Sequence, residues 1–507
     1  MNSRVKLFFN TTVATSLLLG NFPVSAYKVG KISEPKELNI LFITTDQQRF
    51  DTLGVGGNKI IKTPHLDQLS HEGVRFTHAF TCSGQCMPSR QATLTGRYPH
   101  ANGVMFNGDQ LPDSENTIAE ILNQHGYQSV AVGKMDFARK DTTHGFRYRE
   151  IGGHSFPYGE YKEYLEKNNI KWDYDNIPYI ENKNNFFKNF TAGTSKIPEK
   201  HFITTYTADI AIEEMNKLKG KPFALWVSFN GPHPPFAIPE PWSSMYDSKK
   251  IELPKWDKNE FNSKPIGKKH LYYSENYAQL ADGLLFHHVK PDKQYNFKDS
   301  KPEEFRNAIA NYYGFISLID KNIGRILKNL EELGLDKNTI VVFTSDHGDY
   351  MGEHAMMFKD KSSYDATVRV PLIVRHPLSS VRGGINEDLI SNVDYLPTLL
   401  EFLNIPIDST IQGRSFAPIF FKKNYQIAKE VFFEIGRKGK NNERLFKNKA
   451  IRTKKWKYIY NLYDKDELYN LEKDPGELAN VIDNKGNLEV LNVLKTNLLQ
   501  WLIMTDR

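Results

Sequence analysis

The sequence predicts an α/β fold: a large, mostly parallel sheet with helices on both faces, followed by a smaller C-terminal α+β domain. Two observations carry this. Short β-branched runs without polar alternation recur up to about residue 404, as strands covered on both faces require. Helical patterns lie between them, and strand–helix alternation is what parallel pairing demands. Beyond that point the pattern changes to alternating strands, turns and one terminal helix.

Taken in order, the N-terminus comes first. Arg4 and Lys6 precede a largely apolar stretch, residues 7–19, and Val24-Ser25-Ala26 places small residues where signal peptidase cuts. Residues 1–26 therefore read as a signal peptide, with Tyr27 first in the mature chain and a secreted or periplasmic location. The apolar run is short for a membrane span of ~20 residues, which argues against stable membrane insertion. Residues 38–45 (LNILFITT) form the first buried strand, followed by 128–133, 222–229, 339–344 and 371–375. Residues 117–125 and 305–333 carry apolar side chains at helical spacing, and each stops before a glycine. Residues 152–200 and 247–301 lack periodicity and read as surface insertions near the mouth of a site. Residues 450–462 alternate like an exposed strand, with 467–471 beside them. Asp474-Pro475-Gly476 signals a turn, and 487–503 a final helix. The domain division is thus 27–404 for a catalytic unit and 405–507 for a C-terminal α+β subdomain.

Composition narrows the class. Hydrophobic residues make up 39% and charged residues 25% of 507, enough for a core and unlike a disordered chain. The net charge of +6 fits a solvated lysine-rich surface. No dense basic helix or nucleic-acid motif accompanies it, so no nucleic-acid partner is expected. Cysteine is confined to Cys82 and Cys86. A disulfide between them would close a tiny loop, so each needs another reason to be present.

The strand ends supply a site. In parallel α/β sheets ligands bind beyond the carboxyl ends of the strands. Asp46 follows the first run, Lys134 the second, and Asp346 the fourth; Phe229-Asn230 lead from the third into His233. One such Asp is ordinarily a turn or cap residue. Several together point to a polar centre on one sheet edge.

Cys86-Met87-Pro88-Ser89-Arg90 is followed by Gln91-Ala92-Thr93 and Leu94-Thr95-Gly96-Arg97. This stretch resembles the signature of the formylglycine-dependent (type I) sulfatases, Cys-x-Pro-Ser-Arg, three residues, Leu-Thr-Gly-Arg. The resemblance extends over nearly the whole mature chain. It includes residues 39–53, Thr63-Pro64-His65-Leu66-Asp67, Val132-Gly133-Lys134, Gly231-Pro232-His233-Pro234-Pro235 and Ser345-Asp346-His347-Gly348. Residues 359–371 and Leu468-Tyr469-Asn470-Leu471, with Asp474-Pro475 and Glu477, continue it to the C-terminal region. It implies an alkaline-phosphatase-like sandwich around the large sheet, and exported hydrolysis of sulfate esters.

The resemblance also implies residue roles. Cys86 would be converted to formylglycine by a formylglycine-generating or anaerobic sulfatase-maturing enzyme. One hydroxyl of the hydrated aldehyde would attack sulfur, and the other would expel sulfate. Asp46, Gln47, Asp346 and His347, completed by residue 86, match the ligands of one Ca2+ per chain. Gln47 stands where many relatives have a second Asp, and His347 where many have Asn; the lower ligand charge leaves Mg2+ or Mn2+ as alternatives. Arg90, Lys134 and Lys359 would hold the diol and the sulfate oxygens, with Lys361 a rival for Lys359. His233 would protonate the leaving oxygen. Gly133-Lys134-Met135-Asp136 departs from the commoner Gly-Lys-x-His. Asp136 would orient Lys134 or accept a substrate hydrogen bond, and in this place it resembles the uronate 2-sulfatase branch. That implies a sulfated polysaccharide, ulvan- or glycosaminoglycan-like, with His100 and Asn107 as candidate sugar contacts. A phosphonate monoester or phosphodiester hydrolase of the same superfamily is one alternative. A non-catalytic carbohydrate-binding relative is another, against which the intact Cys86, Arg90 and Asp346 set stands.

Overall fold

Strand β1 (Asn39–Thr45) is buried at every residue. Ile40 and Phe42 enter one core layer with Trp226 and Leu399, while Leu41 and Ile43 enter another with Leu225 and Leu318. Two apolar faces leave no position for a solvated side chain, which is why its run does not alternate. The computed structural model describes residues 37–137, 142–149, 152, 159–170, 189–266, 297–360, 362–421, 428–438 and 444–506. The expected signal peptide, residues 1–26, lies outside them.

The remaining strands of the first part are β2 (Val74–Phe80), β3 (Gln128–Gly133), β4 (Arg147–Arg149), β5 (Ala192–Thr194), β6 (Phe223–Ser228), β7 (Phe236–Ile238), β8 (Thr339–Ser345), β9 (Arg369–Arg375) and β10 (Gly384–Ser391). The large sheet has the order β10-β2-β9-β8-β1-β6-β3-β4. β9 runs antiparallel to both its neighbours, and every other pairing is parallel. Helices Ile203–Leu218 and Pro302–Glu332 cover one face, and Ile118–Gln124 and Tyr395–Phe402 the other. This is the expected sandwich. β2 and β10 are not among the expected strands, because neither is buried throughout: β2 mixes buried and part-exposed positions, and the first five residues of β10 are part-exposed or exposed.

The C-terminal part forms a separate antiparallel sheet, β11 (Glu430–Lys438), β12 (Arg444–Thr453), β13 (Trp456–Asn461) and β14 (Glu467–Asn470), in that spatial order. Two expectations are corrected here. Residues 450–462 are the end of β12 and all of β13, joined at an exposed bend, and the two strands are central in the sheet with most of their side chains buried. Their charged alternates, Arg452 and Lys457, are buried because they pair with Asp365 and Glu477. One face of the sheet, with Phe433, Ala450, Ile459 and Tyr469, packs with Phe80 and Tyr364. The other face, with Phe432, Ile451, Tyr458 and Leu468, receives Leu491, Leu494, Leu498 and Trp501 of helix Leu488–Thr505.

The segments expected as surface insertions, 152–200 and 247–301, also contribute to the core. Phe190, Ala192, Ile251 and Phe261 are buried in the core, and Tyr161 and Leu165 of helix Gly159–Lys167 are buried too. Their polar neighbours had masked isolated apolar anchors. The rest of those segments, 171–188 and 267–296 among them, lies outside the described residues. No helix among the described residues is long and apolar enough to cross a membrane.

Candidate active site

β8, β1, β6 and β3 are consecutive neighbours, and their registers bring their ends level. Thr45 pairs with Ser345, and Ser228 with both Thr44 and Gly133. The loops that follow are stitched together at once. Asp46 N donates to Gly231 O (3.0 Å), Asp346 N to Thr45 O (3.2 Å) and Lys134 N to Ser228 O (3.0 Å). Gly133 lies at φ +100°, and a Cβ there would fall 2.0 Å from Ser228 O. Only glycine admits this approach, which delivers Lys134 to the site.

Helix Cys86–Thr95 supplies the next group. Its first turn is fixed by Ser89, whose Oγ donates to Asp346 O (2.6 Å), and by Asn392, whose Nδ2 donates to Ser89 O (2.9 Å). Cys86, at the first position, is 3% exposed. Asp46, Cys86, Asp346 and His347 converge so that one ligating atom from each lies within 4.8 Å of the others.

Cations surround this centre. Arg90 Nε donates to Asp346 Oδ2 (2.9 Å), and its Nη1 to Ser228 Oγ (2.7 Å) and Lys134 O (2.6 Å). Lys134 Nζ pairs with Asp46 Oδ2. Lys359 Nζ lies 3.0 Å from Cys86 Sγ, 3.0 Å from His347 Nε2 and 3.1 Å from Gln47 Oε1. Asp136 Oδ2 sits 3.5 Å from Arg90 Nε and 3.6 Å from Lys134 Nζ. It bridges two cations.

Protonation follows from burial and charge. Burial acts to raise the Asp46 carboxyl, but Lys134, His233, Lys359 and Arg90 overcome it and hold the group well below the usual range. Burial, with Asp46 beside it, pushes the Cys86 thiol up to about 12. The unmodified side chain is therefore a protonated thiol and a poor nucleophile at neutral pH. Burial lowers His347 below its ordinary value. Its Nδ1 lies 2.9 Å from Gly348 O, so the proton of the neutral ring faces that carbonyl and the Nε2 lone pair faces the cluster. Two carboxylates, this imidazole nitrogen and Gln47 Oε1 make a donor set that fits a hard divalent cation.

The other expected residues separate. His233 stands in the loop tied to Asp46 through Gly231 O, and its Nδ1 lies 2.7 Å from Pro234 O. Asn107 Oδ1 accepts from Met87 N (3.1 Å) at the start of the Cys86 helix. His100 does not join the cluster. Its ring bridges Glu434 Oε1 (2.9 Å) and Thr505 Oγ1 (3.1 Å), packing against Tyr98 and Trp501, so the structure gives it a tethering position and not a sugar-facing one. Lys361 lies outside the described residues. Two residues were overlooked. Ser228 ends β6 and accepts from Arg90; Asp349 accepts from Gln47 Nε2 at 2.5 Å. The acidic side chain two positions beyond His347 was the available signal.

The sulfatase family model matches residues 38–405, and that of the N-sulphoglucosamine sulphohydrolase C-terminal region matches 352–503. An N-acetylglucosamine-6-O-sulfatase of Bacteroides thetaiotaomicron is 25% identical over 94% of this chain and 90% of its own length. An ulvan-active sulfatase of Formosa agariphila is 27% identical, covering 89% of this chain and 78% of its own. The crystal structure of a phosphonate monoester hydrolase of Agrobacterium radiobacter superposes with a TM-score of 0.79 at 24% identity, covering 92% of this chain and 96% of that one.

Proposed function

The chain belongs to the sulfatase family and is a sulfuric ester hydrolase, and from that premise we propose that it removes sulfate from a polysaccharide, or from its oligosaccharides, outside the cytoplasm. The carrying observation is the buried convergence of Asp46, Cys86, Asp346 and His347 inside a ring of Arg90, Lys134 and Lys359. A sulfate monoester is an anion that repels nucleophiles, so its oxygens must be neutralised before sulfur can be attacked. Lys134 and Lys359 hold sulfate oxygens as point charges, and Arg90 holds residue 86 and the ester together. His233 delivers a proton to the leaving alkoxide. Converted to formylglycine and hydrated, residue 86 offers one hydroxyl to attack sulfur and a second to release sulfate by re-forming the aldehyde. Asp46, Gln47, Asp346 and His347 would hold a divalent cation, for which Ca2+ is the first choice, and such an ion polarises a sulfate oxygen and acidifies those hydroxyls.

The carbohydrate assignment draws on the resemblance to sulfatases named for N-acetylglucosamine and ulvan, and on Asp136 in place of histidine. Export rests on residues 1–26. Desulfation of defined sulfated oligosaccharides, read by mass spectrometry, tests the substrate. We expect loss of sulfate from a uronate-containing oligosaccharide; turnover of simple aryl sulfates alone would refute the polysaccharide reading. The structural likeness to a phosphonate monoester hydrolase, with Gln47 and His347 in the metal set, favours one second reading. Assaying sulfate, phosphodiester and phosphonate esters in parallel separates the two.

A further inference from the structure

Gln47 carries a conformational cost. Its φ is +67°, the left-handed region that residues with a Cβ adopt at a penalty. The surroundings over-determine it. Its N–H donates to Asp346 Oδ1 (3.0 Å), and its carbonyl accepts from Tyr312 Oη (2.7 Å), which in turn accepts from Arg49 N (3.0 Å). The backbone is thereby fixed, but an amide side chain can still present either of its ends to the cluster. The nitrogen would repel a cation there, and the oxygen would bind one.

Two neighbours decide the matter. Asp349 Oδ2 lies 2.5 Å from one end of the amide, and a carboxylate accepts hydrogen bonds only. Lys359 Nζ lies 3.1 Å from the other end, and an ammonium donates only. Both contacts require Nε2 toward Asp349 and Oε1 toward the cluster. Asp349 is itself fully buried and held in place, its Oδ1 accepting from Met351 N (2.8 Å) and its carbonyl from Arg49 Nη1 (2.8 Å). We infer that Asp349 is a positioning residue that turns the Gln47 amide so that position 47 offers an oxygen to the metal. It rests on the reading of this cluster as a divalent cation site. It also explains how glutamine serves where a second aspartate would otherwise stand. A carboxylate presents oxygen at both ends and needs no such partner.

That difference supplies the test. Ca2+ alone is titrated calorimetrically into chelator-stripped full-length protein carrying wild-type residues, Asp349→Ala, Gln47→Asp, or both changes. In the glutamine background, Asp349→Ala is expected to weaken Ca2+ binding by about 10–100-fold, the range for outer-shell partners of metal ligands. In the Gln47→Asp background the same change is expected to cost less than about threefold or to strengthen binding. Equal losses in both backgrounds would show that Asp349 merely supports the loop, and no loss with Gln47 would show that the amide needs no orienting; either overturns the inference. Absence of binding by the wild type of Ca2+, and of Mg2+ and Mn2+ titrated in the same way, would overturn the metal reading as well. Asp349→Leu, which keeps volume without an acceptor, is read in the same two backgrounds if the alanine variant does not fold.

Discussion

Lys359 Nζ lies 3.0 Å from Cys86 Sγ, although 273 residues separate the two in the chain. The lysine is buried and within reach of His347 and Gln47 as well. A cation held there is desolvated in advance and loses nothing to reorganisation when negative charge gathers on the sulfate oxygens. Lys359→Met keeps the length of the side chain and removes the charge. It should lower kcat on an aryl sulfate by about 10²–10³-fold with the fold intact by circular dichroism. A change below fivefold would remove Lys359 from the reaction.

Asp136 bridges Arg90 and Lys134. With Asp136→Asn the bridge loses its charge, and Lys134 keeps Asp46 as its carboxylate partner. We expect kcat/KM to fall about tenfold, equivalent to ~1.4 kcal/mol of transition-state stabilisation. If Asp136 also meets a sugar hydroxyl, the fall will be larger on the oligosaccharide than on an aryl sulfate. Steady-state kinetics with both substrates checks this.

Gly133 admits no side chain, because a Cβ would meet Ser228 O. Gly133→Ala should cost at least about 1–3 kcal/mol, since it adds left-handed strain to the clash. It should also displace Lys134 and Ser228 together. Thermal melting and kcat, measured on one preparation, should therefore both drop.

Glu434 is buried between His100 and Lys449. Burial acts to raise its carboxyl, yet Lys449 and His100 hold it at about 2 against an ordinary 4.5. A depressed carboxyl stabilises the fold above its unfolded value and loses that contribution as pH falls through the folded one. Glu434→Gln removes the buried carboxylate that Lys449 and His100 face and should cost about 3–5 kcal/mol near neutrality. Urea unfolding should show this gap in full above about pH 4.5 and closing toward pH 2. A pH-independent difference would assign the loss to packing.

Much of this was legible in the sequence. β1, β3, β6 and β8 are buried on both faces, and their runs declare it; Asp46, Lys134 and Asp346, which follow β1, β3 and β8, are then placed by the parallel register alone. Cys86 and Arg90 carried their own signature. What could not be read depends on pairing across the chain. The charges on β12 and β13 look like a wet face until Asp365 and Glu477 are set against them. His100 resembles a site residue by proximity in sequence to Arg90, but Glu434 and Thr505, far along the chain, claim its ring. Asp349 drew no attention, since its importance lies in which end of a glutamine it faces.

The burial of Cys86 has a consequence in time. The pocket that encloses it closes against His347, 261 positions downstream, in the loop that follows β8, the strand that pairs with β1. During synthesis at roughly 5–20 residues per second, Cys86 leaves the ribosome roughly 13–50 s before that wall exists. If Cys86 is converted as proposed, an enzyme acting on it would meet an open thiol on an unfinished chain, because in the folded protein the side chain is buried.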